Sequence, residues 1–435
     1  MNLRSLATKL DEKIYYMLLF TVAIIPLHQE LAAVCTALTF LSAVFVALKK
    51  GRQQPVVLKE WQQALLFLLF IAGWASLHFS RNQFISSWNY VYVAGQYSAM
   101  VFVLLRYGWK RPQVFGDEKL ADEQGWKQFF TLPRPIQLIV VFLVVSLLVS
   151  SIGIAQKFLG VTAEGIWVDP AQFPDLKVRV YSTLVNPNIL AGYLVLVIAY
   201  AAAFFNVFRK NNRLRIGFLV TGILAALCLL YTYSRGNWLA CAVMLLAYCA
   251  LFYRKAFLPI MAGGAVALFV GGNAVMQRLA SITSGQDTSA ALRLAYLHCT
   301  KMIIEDFPMG VGWYGYRFVY PEYNYYLADT SVIMYHCHNI FLNVLAELGW
   351  QGFIVFMAVW AMFVYNGWQL AFKGRVLWLR AIGQGYILAT IGIAVGGLTD
   401  HVYFNTQMGL LFWVLGVLVM VSRKLGEYYI GADSV

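Results

Sequence analysis

Repeated apolar runs of about bilayer-crossing length constrain the fold of this chain more than any other feature. They lie at 14–28, 31–48, 63–79, 87–105, 136–156, 187–207, 216–233, 237–253, 257–272, 352–371, 381–398 and 407–422, parted mostly by short polar connections. A helix needs about 20 apolar residues to cross the hydrocarbon core. The pattern therefore predicts an all-α polytopic membrane protein of about twelve spans, a single membrane domain over residues 1–435. Sixty per cent hydrophobic and only 12% charged residues agree with that class and argue against a soluble globular chain.

Charge sets the expected orientation. With the N-terminus inside, the inner connections hold a large excess of Lys and Arg, in compact groups such as Lys49/Lys50/Arg52, Arg209/Lys210/Arg213/Arg215 and Lys373/Arg375/Arg380, while the outer ones are close to balanced. The positive-inside rule then puts both termini in the cytoplasm. The net charge of +13 reads as a topology signal, and its dispersal among short loops argues against a nucleic-acid surface. The first apolar run is expected to act as an uncleaved anchor.

Two connections are long: a mixed-charge cytoplasmic loop at 106–135, and an outer segment at 273–337, about 65 residues with helical character near 290–304. Function is expected on the outer face, on loops held by a rigid scaffold. The segment ends at His338-Asn339, eleven residues before Gly349 and fourteen before Gly352. At about 100° per residue these glycines fall within roughly 20° and 40° of His338, so a continuous helix would carry one imidazole and two close-approach positions on one stripe.

Outer cations are rare, and each is weighed as either a snorkelling side chain or an anion ligand. Arg179 precedes Ser182, Thr183, Asn186, Pro187 and Asn188; Arg235 sits in the tight turn Ser234-Arg235-Gly236; Arg293 and Lys301 share the expected outer helix. Guanidinium groups suit a phosphate-bearing lipid because they donate bidentate hydrogen bonds. Asp400, beside His401 in the last outer turn, either orients a base or an arginine or caps the connection. Neither His298 nor His336 falls at a recognised metal-ligand spacing, so no metal and no cofactor is expected. The Tyr-rich stretch 313–335 suits an interfacial belt or sugar stacking. Cys299 and Cys337 lie outside the apolar runs, and spacing leaves their pairing open. With no Walker loop, dinucleotide fingerprint or nucleophile elbow, any transferred group must arrive already activated.

Together these residues resemble the O-antigen ligase and O-antigen polymerase family. His338, Asn339, Gly349 and Gly352 match its His-Asn-x9-Gly-x2-Gly signature, and the block Arg179–Asn188, Ser234-Arg235-Gly236 and Pro308-x-Gly310-Val311-Gly312-Trp313 are further similarities. The resemblance implies a metal-independent, glycosyltransferase-like enzyme of the bacterial inner membrane. Its donor would be a glycan on undecaprenyl diphosphate, and its acceptor a lipid A–core or other glycan hydroxyl. By similarity His338 is the general base, and Arg179 and Arg235 hold the diphosphate. Arg293, Asn186, Asn188, Asn339 and Asp400 are expected to help bind substrate. An O-antigen or exopolysaccharide polymerase and a protein O-oligosaccharyltransferase share the motif. A secondary transporter, the main alternative of another class, tends to carry ionisable groups near the bilayer midplane, whereas here they cluster at span ends.

Overall fold

The computed structural model describes residues 3–50, 58–110, 129–130, 132–161, 178–208, 211–280, 288–325 and 333–432. All fourteen principal elements are α-helices, with no strand among the described residues: α1 Leu3–Ile24, α2 Gln29–Lys50, α3 Glu60–Ser76, α4 Gln83–Tyr107, α5 Arg134–Leu159, α6 Pro187–Val207 and α7 Asn212–Tyr231. They continue as α8 Arg235–Leu251, α9 Phe257–Ala280, α10 Thr288–Asp306, α11 Tyr316–Tyr323, α12 Ile340–Lys373, α13 Leu377–Gly396 and α14 Thr406–Ala432. Most of the expected cytoplasmic loop 106–135 lies outside the described residues, as do parts of the outer segment 273–337.

Each of the twelve apolar runs falls on a helix. Among the described residues nine helical segments are long and apolar enough to cross a membrane. The runs at 14–28, 87–105 and 237–253 lie on α1, α4 and α8, none of which is among the nine. Polar residues explain the first two, since α1 begins with charged turns and α4 carries Gln83, Asn89 and Gln96. The chain is an all-α, multi-pass membrane protein.

Burial orders the helices. In α14 and α6, 89% and 78% of the most apolar stretch is buried, against 6% in α9. The first two therefore form the centre of the bundle, and α9 turns nearly all its surface outward. α6 packs on α7, α8 and α13, while α12 packs on α3, α13 and α14. Small residues set these approaches. A Cβ at Gly383 of α13 would lie 2.4 Å from the Ala371 backbone nitrogen of α12, and one at Gly392 would lie 2.4 Å from Val195 of α6. Such close backbone approach suits helices in lipid, where dispersion contacts replace much of the hydrophobic drive.

Two helices are broken at glycine. α9 continues past the expected end of its run at residue 272, crossing Gly272 at φ +59°, ψ −157°, and reaches Ala280. α12 is interrupted at Gly349, at φ +67°, ψ −177°. Both conformations are open to glycine and costly for other residues.

Candidate active site

The break at Gly349 explains the glycine pair of the signature. An interrupted ladder frees carbonyls on one side and amides on the other, and the Pro308–Trp313 turn takes up both. Val311 N donates to Ala346 O at 2.8 Å and Gly312 N to Glu347 O at 2.9 Å. In return Trp350 N donates to Pro308 O at 3.2 Å, and the Gln351 amide donates to Met309 O at 3.0 Å. A Cβ at Gly349 would lie 2.3 Å from the Met309 carbonyl carbon, and one at Gly352 would lie 2.4 Å from the Leu348 Cβ. Gly349 thus admits another backbone, as expected, whereas Gly352 makes room for its own helix across the kink. The continuous stripe from His338 to Gly352 is corrected accordingly. His338 precedes the helix, and the helix bends before Gly352.

Trp313 fastens the same turn to the bundle. Its backbone amide donates to Ser76 Oγ at 3.0 Å and its indole to Asn89 Oδ1 at 2.8 Å, tying α3 and α4 to the α12 kink. Gly310 and Gly312, both at φ +89°, provide the left-handed turns this path needs.

At the start of α12, Asn339 is the N-cap. Its Oδ1 accepts from Leu342 N at 3.0 Å, and its amide donates to Leu398 O at 3.2 Å. Next along, Ile340 N donates to Gly397 O at 2.8 Å. These two contacts staple the helix start to the connection between α13 and α14, which brings Asp400 to His338 across 62 residues. His338 Nδ1 lies 3.1 Å from Asp400 Oδ1, which also accepts the His401 amide at 2.8 Å. The imidazole stacks on Tyr296 with centroids 5.5 Å apart, and the His336 ring stands 4.5 Å away. His336 Nδ1 accepts the His338 backbone N–H at 3.2 Å.

Electrostatics keep this group in defined states. Burial alone would raise the Asp400 pKa, yet the hydrogen bond from His338 and the positive fields of His338, His336 and Arg293 hold it well below the usual carboxylate range. Burial presses both neighbouring imidazoles the other way, His401 to about 4 and His336 well below its ordinary value.

Arg179 is a buried cation of the site, 9% exposed. Its Nε donates to Thr232 O at 2.9 Å and its Nη2 to Asn188 Oδ1 at 2.8 Å. Asn186, the N-cap of α6, holds the turn by accepting from the Asn188 amide at 2.8 Å. Asn186 and Asn339 thus both engage backbone amides through their side-chain carbonyls. Burial lowers the Arg179 pKa to about 9, helped by the charges of Arg278, Arg293 and Arg235 and opposed by Asp400. The guanidinium remains charged at neutral pH. Four arginines from four elements converge beside the histidine–carboxylate pair.

Arg278 was not foreseen. The apolar run containing α9 ends at residue 272, and only the continuation past Gly272 carries Arg278 into the cluster, where it is 8% exposed. Its presence among the few outer cations was the available signal. Lys301, by contrast, is exposed on α10.

Backbone strain marks the same segments. The non-glycine residues at positive φ among the described residues are Ser182, Val185, Tyr233, Tyr314 and His338. Two flank the Arg179 turn, one abuts Ser234-Arg235, one follows Trp313, and the last is His338 itself. Such conformations cost about 1–3 kcal/mol each and persist where the surroundings overdetermine them, characteristically at functional sites.

The tyrosines divide by role. Tyr296, Tyr316 and Tyr320 form a small buried core with Cys299 and Cys337, both of which are free thiols. Tyr314 and Tyr335 line the site with Phe404, Tyr314 lying parallel to Phe404 at 6.2 Å, and Arg317 stands 4.7 Å over the Tyr335 ring. Tyr326 lies outside the described residues. His336, His338 and Asp400 also bring their donor atoms within 4.8 Å of one another, a grouping that no sequence spacing indicated. Sequence spacing concealed this group, since its carboxylate comes from another helix connection.

Fold and site define a multi-pass membrane protein in which a histidine–carboxylate pair faces a cluster of guanidinium groups at one end of the bundle. Residues 220–357 match the Wzy_C family model, described as O-antigen ligase. The matched segment spans less than half of the 435 residues and contains Arg235, Arg278, Arg293, His338, Asn339 and both signature glycines. The match supports a glycan transferase or ligase that works with a lipid-linked glycan donor and a glycan acceptor. No curated protein matches the chain.

Proposed function

We propose that the protein is an O-antigen ligase, moving a glycan from undecaprenyl diphosphate to a lipid A–core sugar hydroxyl at the outer face of the bacterial inner membrane, without a metal. The excess of Lys and Arg in the connections opposite the site supports a periplasmic site and cytoplasmic termini. The observation that carries the reading is the His338–Asp400 pair beside the Arg179, Arg235, Arg278 and Arg293 cluster.

The two halves divide the chemistry. Asp400 accepts the Nδ1 proton of His338, which leaves the Nε2 lone pair for the acceptor hydroxyl. As the hydroxyl oxygen bonds to the anomeric carbon, its proton passes to Nε2, and Asp400 stabilises the imidazolium. The bond from that carbon to the diphosphate breaks at the same time. The growing negative charge on the leaving undecaprenyl diphosphate meets preorganised guanidinium groups. A single displacement of this kind inverts the anomeric centre. Tyr314, Tyr335 and Phe404 give a sugar ring apolar faces beside the base.

The test is the fate of the glycan in cells carrying His338→Ala. A ligase predicts that long glycan accumulates on the undecaprenyl carrier while lipopolysaccharide loses it. Carrier-linked single repeat units in place of long chains would instead identify a polymerase, and unaltered lipopolysaccharide with glycan missing from protein hydroxyls would identify a protein O-oligosaccharyltransferase.

A further inference from the structure

We propose that His336, His338 and Asp400 form a binding site for a borderline divalent cation, Zn2+ in the first instance, and that occupancy silences His338 as a base. The first half rests on geometry alone, and the second on the reading of His338 given above. The three donor atoms lie within 4.8 Å of one another, and they reach the same place from two separate connections. His338 Nδ1 and Asp400 Oδ1 are 3.1 Å apart. Zinc bonds of ~2.0–2.1 Å at the tetrahedral angle require ligand atoms roughly 3.3 Å apart, so this edge is already close to the geometry of a bound ion.

The donor set selects the metal class. Two imidazoles and one carboxylate suit Zn2+ and its neighbours in the first transition row, whereas Mg2+ and Ca2+ favour sites made of oxygen. His401 flanks the group with its ring centroid 5.6 Å from His336, and its Nδ1 is buried with no hydrogen-bond partner among the described residues. Three protein ligands leave a fourth position for water or substrate. The ion must displace the His338–Asp400 hydrogen bond. Binding is therefore reversible and weaker than at a closed structural site.

Inhibition follows from the tautomer. With Nδ1 of His338 on the metal, the neutral ring carries its proton on Nε2 and has no lone pair left to take the acceptor proton. The Asp400 carboxylate is occupied as well.

The experiment titrates metal-stripped, detergent-purified full-length protein with Zn2+ by calorimetry, alongside His336→Gln, His338→Ala, Asp400→Asn and the control His298→Ala, whose ring is exposed on α10. Helical circular dichroism and size-exclusion profiles exclude misfolded variants. The expected result is one Zn2+ per chain, at least tenfold weaker binding in each of the three site variants, wild-type binding in the control, and glycan transfer that falls over the same Zn2+ range and returns with chelator. Absence of saturable binding, or equal binding in all variants, overturns the site. Site-dependent binding with transfer unaffected at saturating Zn2+ leaves the site standing and overturns His338 as the base. Transfer stimulated by Zn2+ in the stripped enzyme overturns inhibition.

Discussion

The base end and the cationic end of the site are built by different means. His338 is held by neighbours in sequence and by two backbone-level staples: Asn339 caps α12 and bonds Leu398 O, while Ile340 N bonds Gly397 O. The arginines arrive separately, Arg179 on a strained turn, Arg235 at the start of α8, Arg278 beyond the break in α9 and Arg293 on α10. A local motif fixes one group in one place; convergence of distant elements fixes a field. The two ends should therefore fail differently, one losing chemistry and the other losing the donor.

The largest separation should come from the base. His338→Ala is expected to lower the transfer rate by about 10²–10⁴-fold, the usual worth of a general base, with donor affinity retained, as read from single-turnover kinetics. Arg179→Ala follows, at about 10²–10³-fold in transfer, because it removes a fixed cation from the leaving group. Its loss should fall on donor binding as well as on rate. Arg278→Ala should move the same way by a smaller factor, and retained donor affinity in both variants would break the division between the two ends.

Asp400→Asn tests the link between them. Nδ1–H no longer meets a carboxylate, so transfer should fall by at least tenfold with little change in donor affinity. Stability provides a second readout. The folded carboxyl has a lowered pKa, so its contribution is complete above the unfolded value, about 3.9, and is lost as pH falls toward the folded one. The melting difference between wild type and Asp400→Asn should accordingly narrow below about pH 4. A difference that grows with acid would contradict the pairing.

The smallest expected effect lies at the kink. Gly349→Ala places a Cβ 2.3 Å from the Met309 carbonyl carbon at φ +67°, and should destabilise the fold by about 1–3 kcal/mol in denaturant or thermal unfolding. Transfer should fall only as far as the Pro308–Trp313 turn loosens. An unchanged melting temperature would show that the turn does not depend on the break.

Legibility followed the same divide. The twelve apolar runs were readable because span length and hydropathy are local quantities, and each lies on a helix. The signature His338–Gly352 was readable as a pattern, though not its geometry: a glycine inside an apolar run does not declare whether the helix continues, and at Gly349 it breaks. Asp400 was singled out, but its pairing with His338 depends on contacts at Leu398 and Gly397 that no spacing rule contains. Arg278 was passed over because the helix carrying it runs eight residues beyond its apolar stretch, reaching Ala280 after Gly272. The His336, His338 and Asp400 group was hidden for the same reason as the pair. Cys299 and Cys337 share a small core, as their position outside the spans allowed, yet remain separate thiols.

The central claim is that one end performs proton transfer while the other holds the diphosphate, and it is tested most directly by measuring donor binding and turnover together. Purified wild type, His338→Ala and Arg179→Ala would each receive undecaprenyl-diphosphate-linked glycan and lipid A–core in nanodiscs. The account predicts wild-type donor affinity with transfer all but abolished in His338→Ala, and weakened donor affinity in Arg179→Ala. Transfer by His338→Ala at the wild-type rate would contradict it.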